Sequence, residues 1–245
     1  MNNLIKSLLF IFIIFLFLLP SFGAAQSYIQ THYLPDMSIN DLREDTDGVI
    51  WIGTKRGLSN YNGNYYSHYT SNVKDSTSLD NDFVNRICFD KQQRIWVGTN
   101  EGINLFLPEK EFKQEISDLK YKPVYEVVNL DSSTLVVSTH NGISLFDKLL
   151  MKRTKEYVNP KVSRSTHIHY SKNKYLWVLS RYDKDIQIFS RSLNLIKSIP
   201  TPQKFKSLVE DDYNHIWARS NNGLFLINAE TFNLELLPSY ISNIT

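Results

Sequence analysis

Arg94-Ile95-Trp96-Val97-Gly98-Thr99-Asn100-Glu101-Gly102 decides how this chain is read. An apolar residue stands on each side of a tryptophan. A hydroxyl residue follows three positions after the tryptophan and a glycine six positions after it. The phrase recurs at Ile50–Gly57 (Trp51, Thr54, Gly57), Leu135–Gly142 (Val136, Thr139, Gly142), Leu176–Ser180 (Trp177, Ser180) and Ile216–Gly223 (Trp217, Ser220, Gly223). All four tryptophans of the chain occupy this register, and Val136 takes the remaining place. The steps from 51 to 96, 136, 177 and 217 are 45, 40, 41 and 40 residues. A fixed period near forty marks a repeat architecture.

Each residue type in the phrase has a physical task. Ile-Trp-Val is β-branched and aromatic and reads as a short strand. It is apolar on both faces of the pleat, so it expects cover on both sides. The hydroxyl can bond local backbone and end the strand, and the glycine suits a turn needing positive φ. A following strand ends in a large apolar residue: Tyr61, Phe106, Phe146, Phe189 and Ile227. A preceding strand aligns Leu42, Ile87, Val128, Ile168 and Leu208 in one column. Asp45, Asp90, Asp131 and Asp211 mark the turn between these two strands, with Ser171 in the fourth copy. A more polar fourth strand fits at Tyr65–Tyr69 and Phe112–Ile116. Four antiparallel strands per forty residues, the middle ones buried, describe a β-propeller blade. The expected fold is all-β, a propeller of five four-stranded blades at about 37–70, 78–117, 121–158, 164–200 and 203–238. The start of a sixth stands at 239–245, so the ring is expected to be incomplete.

The words Ile39–Tyr61 (INDLREDTDGVIWIGTKRGLSNY) and Ser78–Phe106 (SLDNDFVNRICFDKQQRIWVGTNEGINLF) resemble the two-component regulator propeller repeat. That family forms the periplasmic sensor region of hybrid two-component histidine kinases of Bacteroidetes type. The fourth copy departs furthest: Asp183 replaces the turn glycine, and two extra residues precede Ile186–Phe189. The resemblance implies a ligand-sensing module for oligosaccharide breakdown products and a homodimer in a full-length parent. It also implies a longer parent with more repeats, a membrane span, a kinase and a response regulator. None of these later parts is in this sequence. The chain is therefore expected to be an N-terminal piece without kinase activity, with a membrane link only through the missing C-terminal region.

Ahead of the repeats, Lys6 precedes an unbroken apolar run from Leu8 to Leu19, then Pro20 and the small residues Gly23-Ala24-Ala25. This reads as a secretory signal peptide over 1–25, with a mature start at Gln26. An uncleaved anchor is the rival, but the run is shorter than the roughly 18 apolar residues a span wants. Residues 26–36 hold a further strand, Tyr28–Tyr33, expected to close the ring by joining the last blade and so remove a sheet edge. The 27 basic residues nearly balance the 25 acidic ones, which gives no reason to expect nucleic acid. Cys88 is the only cysteine, so no intramolecular disulfide can form, and it reads as a buried structural thiol.

Candidate chemistry is sparse. Asp45-Thr46-Asp47-Gly48 lacks the spacing of a calcium loop, because Arg43 and Thr54 stand where acidic ligands belong. His167 and His169 share a strand face but have no third ligand at matching spacing, so no metal is expected. Asp211 of Glu210-Asp211-Asp212 falls in the turn column, which favours structure over paired-acid catalysis. Lys148, Lys152, Arg153 and Lys155 read as a solvated outer strand. Asn243-Ile244-Thr245 matches a glycosylation triplet. No catalytic constellation and no cofactor motif is visible. The tryptophans read as packing between blades, together with Gly57, Gly102, Gly142 and Gly223 as frame residues. Ligand contacts are expected where blades differ, in the turn after the Trp strand: Arg56, His140, Arg181, Tyr182 and Asn222. In a four-strand meander that turn lies at the same end as the links between blades. Three functional readings stand side by side: an oligosaccharide sensor, a propeller glycosidase or lyase, and a protein-interaction propeller.

Overall fold

The computed structural model describes residues 28–107, 112–113, 119–120, 122–162, 164–181 and 183–236. The signal segment at 1–25, the loop residue Tyr182 and the sixth-repeat fragment at 239–245 lie outside the described residues. Every paired strand is antiparallel to its neighbour, and the strands form five sheets. The first holds β1 (Tyr28–Thr31), β2 (Ile39–Glu44), β3 (Ile50–Thr54), β4 (Gly57–Tyr61) and β5 (Tyr66–Tyr69). The second holds β6 (Val84–Phe89), β7 (Ile95–Thr99), β8 (Ile103–Phe106) and β9 (Phe112–Lys113). The third holds β10 (Glu126–Asn129), β11 (Thr134–Ser138), β12 (Gly142–Asp147) and β13 (Lys152–Val158). The fourth holds β14 (Ser165–Tyr170), β15 (Tyr175–Ser180), β16 (Ile186–Ser190) and β17 (Leu195–Ile199). The fifth holds β18 (Phe205–Glu210), β19 (His215–Ser220), β20 (Leu224–Asn228) and β21 (Leu234–Leu236). The opening strands β2, β6, β10, β14 and β18 pack side by side in sequence order along the inner side of the array. This is a β-propeller, with each Trp phrase on the second strand of its blade.

The tryptophans pack between blades. Trp51 clusters with Ile87, Val97 and Phe106 of the next blade. Trp96 clusters with Val127, Val137 and Phe146, and Trp177 with Leu208, Ala218 and Ile227. Val136 plays the same part toward Ile168, Val178 and Phe189. The blades approach so closely that a Cβ on Gly98 would sit 2.8 Å from Val124 Cγ1. Glycine there is a packing requirement rather than a turn requirement.

Two sequence expectations are corrected. β1 pairs with β5, Tyr28 opposite Tyr69 and Thr31 opposite Tyr66, so it becomes the fifth, outermost strand of the first blade. It covers that blade's own edge instead of closing the ring through the last blade. The apolar column of the third copy is Val127, not Val128: Val127 faces Val137 as Ile87 faces Val97 and Leu42 faces Ile52. The reason lies in the turn. Asp45 N–H and Asp90 N–H bond the carbonyl four residues on, but in the third blade Leu130 N–H does so, to Thr134. Counting back from Asp131 by the same three residues therefore stops one residue short.

Leu42 is 53% exposed, whereas Ile87, Val127, Ile168 and Leu208 in the same column are 4% exposed or less. At the other end Trp217 is only half-buried. Among the described residues no blade packs over either face.

Candidate functional site

The turn after the Trp strand is built the same way three times over and shares one of its two side-chain bonds a fourth time. Thr54 Oγ1 donates to the carbonyl of Gly57 at 2.9 Å and accepts Arg56 N–H at 3.0 Å. Thr99 with Gly102 and Glu101, and Ser220 with Gly223 and Asn222, repeat both bonds. Thr139 Oγ1 accepts Asn141 N–H. Gly57 has φ of 125°, and a Cβ there would strike the Tyr69 carbonyl. In the fourth blade Asp183, standing where that glycine would be, accepts Asp185 N–H at 3.1 Å instead. The frame is thus rigid while the residues it displays differ.

Arg56, His140, Arg181 and Asn222 are all exposed and stand on four different blades. They share an end with the links between blades. Asn100 N–H bonds the Phe83 carbonyl just before β6, Asn159 N–H bonds the Asn141 carbonyl just after β13, and Lys204 Nζ donates to the Arg181 carbonyl just before β18. Of the four, Arg56 lines a cavity of about 420 Å³ beside Tyr33, Lys55 and His68.

A second site, of which the sequence reading picked out only His167 and His169 as candidate ligands, lies along the inner strands. β2, β6, β10 and β14 line a cavity of about 520 Å³ bearing Arg43, Glu44, Cys88, Glu126, His167 and His169. Asp41, Arg86, Glu126 and His167 hold equivalent register positions, opposite Gly53, Gly98, Ser138 and Leu179. Asp41, Arg86 and His167 each reach the next blade, and Glu126 receives Arg86. Asp41 Oδ2 accepts Ile87 N–H at 2.8 Å, and Arg86 donates to Glu126 Oε2 at 2.7 Å. His167 Nε2 lies 2.9 Å from the Leu208 carbonyl, which can only accept, so this nitrogen carries the proton. One column further along, His169 Nε2 lies 3.2 Å from Glu210 Oε2. A polar residue just before each apolar column residue was the available signal.

Burial sets the protonation of this lining. It pushes the Glu126 carboxyl up to about 7, with Arg86 opposing the rise, and the His167 imidazole down to about 4. From 4.5 to 7 the folded chain holds a proton on Glu126 that the unfolded chain has released, so this group makes stability fall as pH rises. From 4 to 6.5 the unfolded chain holds the proton on His167, so that group makes stability rise. The two oppose each other where the windows overlap. Glu126→Gln is expected to leave a denaturation midpoint that climbs with pH between 4 and 6.5. His167→Gln is expected to leave one that falls between 4.5 and 7. Chemical denaturation at stepped pH reads both, and identical profiles for the two variants would contradict the assignment.

The remaining sequence candidates are accounted for by their bonds. Asp45 Oδ1 accepts Asp47 and Val49 N–H, and its Oδ2 accepts the Trp51 indole at 2.9 Å, an ordinary capped turn. Among the described residues no three of His, Cys, Asp and Glu converge on a metal position. Glu210 is held by Lys172 N–H and His169, and Asp211 by the Trp217 indole. Cys88 is partly buried, and burial pushes its thiol up to about 12. Lys148 corrects the reading of its cluster. It is 2% exposed, and its Nζ donates to Asn129 Oδ1 at 2.8 Å and the Asp131 carbonyl at 2.6 Å. It lies just past β12, at the close of an inner hairpin, while Lys152 and Lys155 stand exposed on outer strand β13.

Residues 33–56 and 78–101 match the two component regulator propeller family. The chain is 28% identical over 220 residues to histidine kinase P4 of Formosa agariphila, covering 85% of this chain and 14% of that protein. The fold is also that of the extracellular domain of the hybrid two component system BT3049 from B. thetaiotaomicron, with a TM-score of 0.69 at 20% identity over 89% of this chain and 30% of that one. The extracellular domain of the one component system BT4673 from the same organism gives 0.66 at 18% identity, over 82% of this chain and 31% of that one. The chain thus spans a small part of the relatives it matches. It is a β-propeller, and the first two of its repeats match the two component regulator propeller family.

Proposed function

We propose that this chain is the ligand-sensing propeller segment of a two-component signalling protein, acting outside the cytoplasm on oligosaccharide breakdown products. The observation that carries the reading is the pairing of a uniform turn frame with residues that differ from blade to blade, on repeats of a regulator family. Binding loops on a rigid scaffold have this form. Export through the segment at 1–25 to the periplasm, attachment to kinase domains in a longer parent and dimerisation of that parent belong to the same proposal. The parent's phosphotransfer would lie outside this chain.

A thermal-shift screen against an oligosaccharide panel tests it, because a ligand that binds only the folded state raises the midpoint by mass action. A ligand at about a hundred times its Kd is expected to add about 2.7 kcal/mol. The shift should vanish when Arg56, His140, Arg181, Tyr182 and Asn222 are replaced by alanine. It should survive replacement of Asp47, Gln92 and Tyr213 in the opposite turns. The reverse pattern would refute the placement, and no shift with any sugar would refute the ligand class.

A further inference from the structure

We infer that the cavity beside the first blade is a subsite for an anionic pyranose, a sugar ring carrying a carboxylate or a sulfate. The inference rests on the sensing role proposed above and gives it an address. The cavity, about 420 Å³, lies where the segment after β1 passes the turn between β3 and β4. That volume suits one or two sugar rings. Its cations are Lys55 and Arg56, both exposed, with Lys55 Nζ also 6.0 Å from the Phe83 ring centroid. A guanidinium presents paired donors to a carboxylate or sulfate, and an ammonium beside it adds a point charge.

The wall behind them is fixed. His68 is 8% exposed, with Nδ1 2.8 Å from Ser59 Oγ and a further hydrogen bond to the backbone of Arg56. Its Cε1 also packs against Gly57, 3.0 Å from where a Cβ would be. This buried ring holds the Lys55-Arg56 turn from beneath. Burial lowers its pKa, so it adds no charge at neutral pH. Asp82 lines the far side, with Oδ1 taken by Ser71 N–H. It leaves an acceptor for sugar hydroxyls and cancels one of the two cations. The lining residues balance to one net positive charge, with Asp36 beside Pro35 standing outside the lining though its field reaches His68, and the Arg56 guanidinium is the group that calls for an anion. Tyr33, 69% exposed, supplies an aromatic face at the rim on which a ring can lie. A neutral sugar would leave the guanidinium without its partner.

The test is calorimetric titration of the purified chain with three probes of equal length: a tetragalacturonate, a sulfated tetrasaccharide and a neutral glucose tetrasaccharide. At least one anionic probe is expected to bind ten-fold or more tighter than the neutral one, and which anion wins separates carboxylate from sulfate. Arg56→Gln and Tyr33→Ala are each expected to weaken that binding ten-fold or more, with unfolding midpoints unchanged because both side chains are exposed. Gln92→Ala, at the opposite end of the second blade, should bind as the unaltered chain does. Equal affinity for the neutral probe, or anionic binding indifferent to Arg56→Gln, would overturn this subsite while leaving the sensing reading intact. Failure of all three probes together with the wider panel would overturn both.

Discussion

Replacing Trp96 by alanine is expected to cost about 3–5 kcal/mol of folding stability. The side chain is fully buried, and its ring meets Phe146 of the next blade edge-on at 5.9 Å. Its indole N–H donates to Asp90 Oδ2 at 3.0 Å. Truncation leaves a cavity walled by Val127, Val137 and Phe146, which belong to a different sheet and cannot follow the missing ring without giving up their own strand pairing. The loss is comparable to much of the net stability of a domain. Lys91→Ala, on the exposed turn nearby, is expected to stay within about 0.5 kcal/mol. Denaturant titration of the two variants decides the matter: similar midpoints would mean that the Trp register does not carry the contact between blades.

The second large effect is expected at Asp90. Its carboxylate gathers Gln92 N–H at 2.9 Å, Arg94 N–H at 3.0 Å, Arg94 Nε at 2.8 Å and the Trp96 indole. Lys148 Nζ stands 3.8 Å away on a buried side chain. Burial by itself would raise the Asp90 pKa, yet the Trp96 and Arg94 donors hold it below the usual carboxylate range. Asp90→Ala strands a buried ammonium and several donors at once, and loss of one partner of a buried pair costs about 3–5 kcal/mol. Asp90→Asn, which keeps the shape and some acceptors, should lose less. The fourth blade already lacks this device: Ser171 holds the place, and among the described residues the Trp177 indole N–H has no partner. Equal denaturation midpoints for Asp90→Ala and the unaltered chain would refute the role.

Much of the fold was legible because the tryptophans mark the period and each sits on the same strand of its blade. The acidic column was legible as a turn, but not as the acceptor for the indole six residues on; that bond needs the hairpin closed. Where the third copy lacks tryptophan, its turn slips by one residue, and the column slips with it from Val128 to Val127. β1 misled because a short strand carries no address: Tyr28–Thr31 can pair with any free edge, and the edge nearest in sequence took it. Lys148 looked like its exposed neighbours because composition does not report depth. Most of the inner-strand lining escaped notice for a different reason. Arg86 meets Glu126, and His167 meets Leu208, across 40 and 41 residues. Those separations are the repeat period itself, so the partners could have been sought one period apart. The cavity of the first blade joins Tyr33 to Asp82 through folding alone.

The uncovered faces of Leu42 and Trp217 govern how this chain comes apart. In a stacked array the free energy is a sum of unit terms and couplings between adjacent units. Among the described residues the third blade has a coupling on each side, whereas the first and fifth have one. Opening therefore begins at the two ends and moves inward like a fraying zipper, and the middle sheet is the last to exchange its amide hydrogens. Protection against exchange maps position along the array, so two residues with the same burial and the same bonds will differ by the blade that carries them.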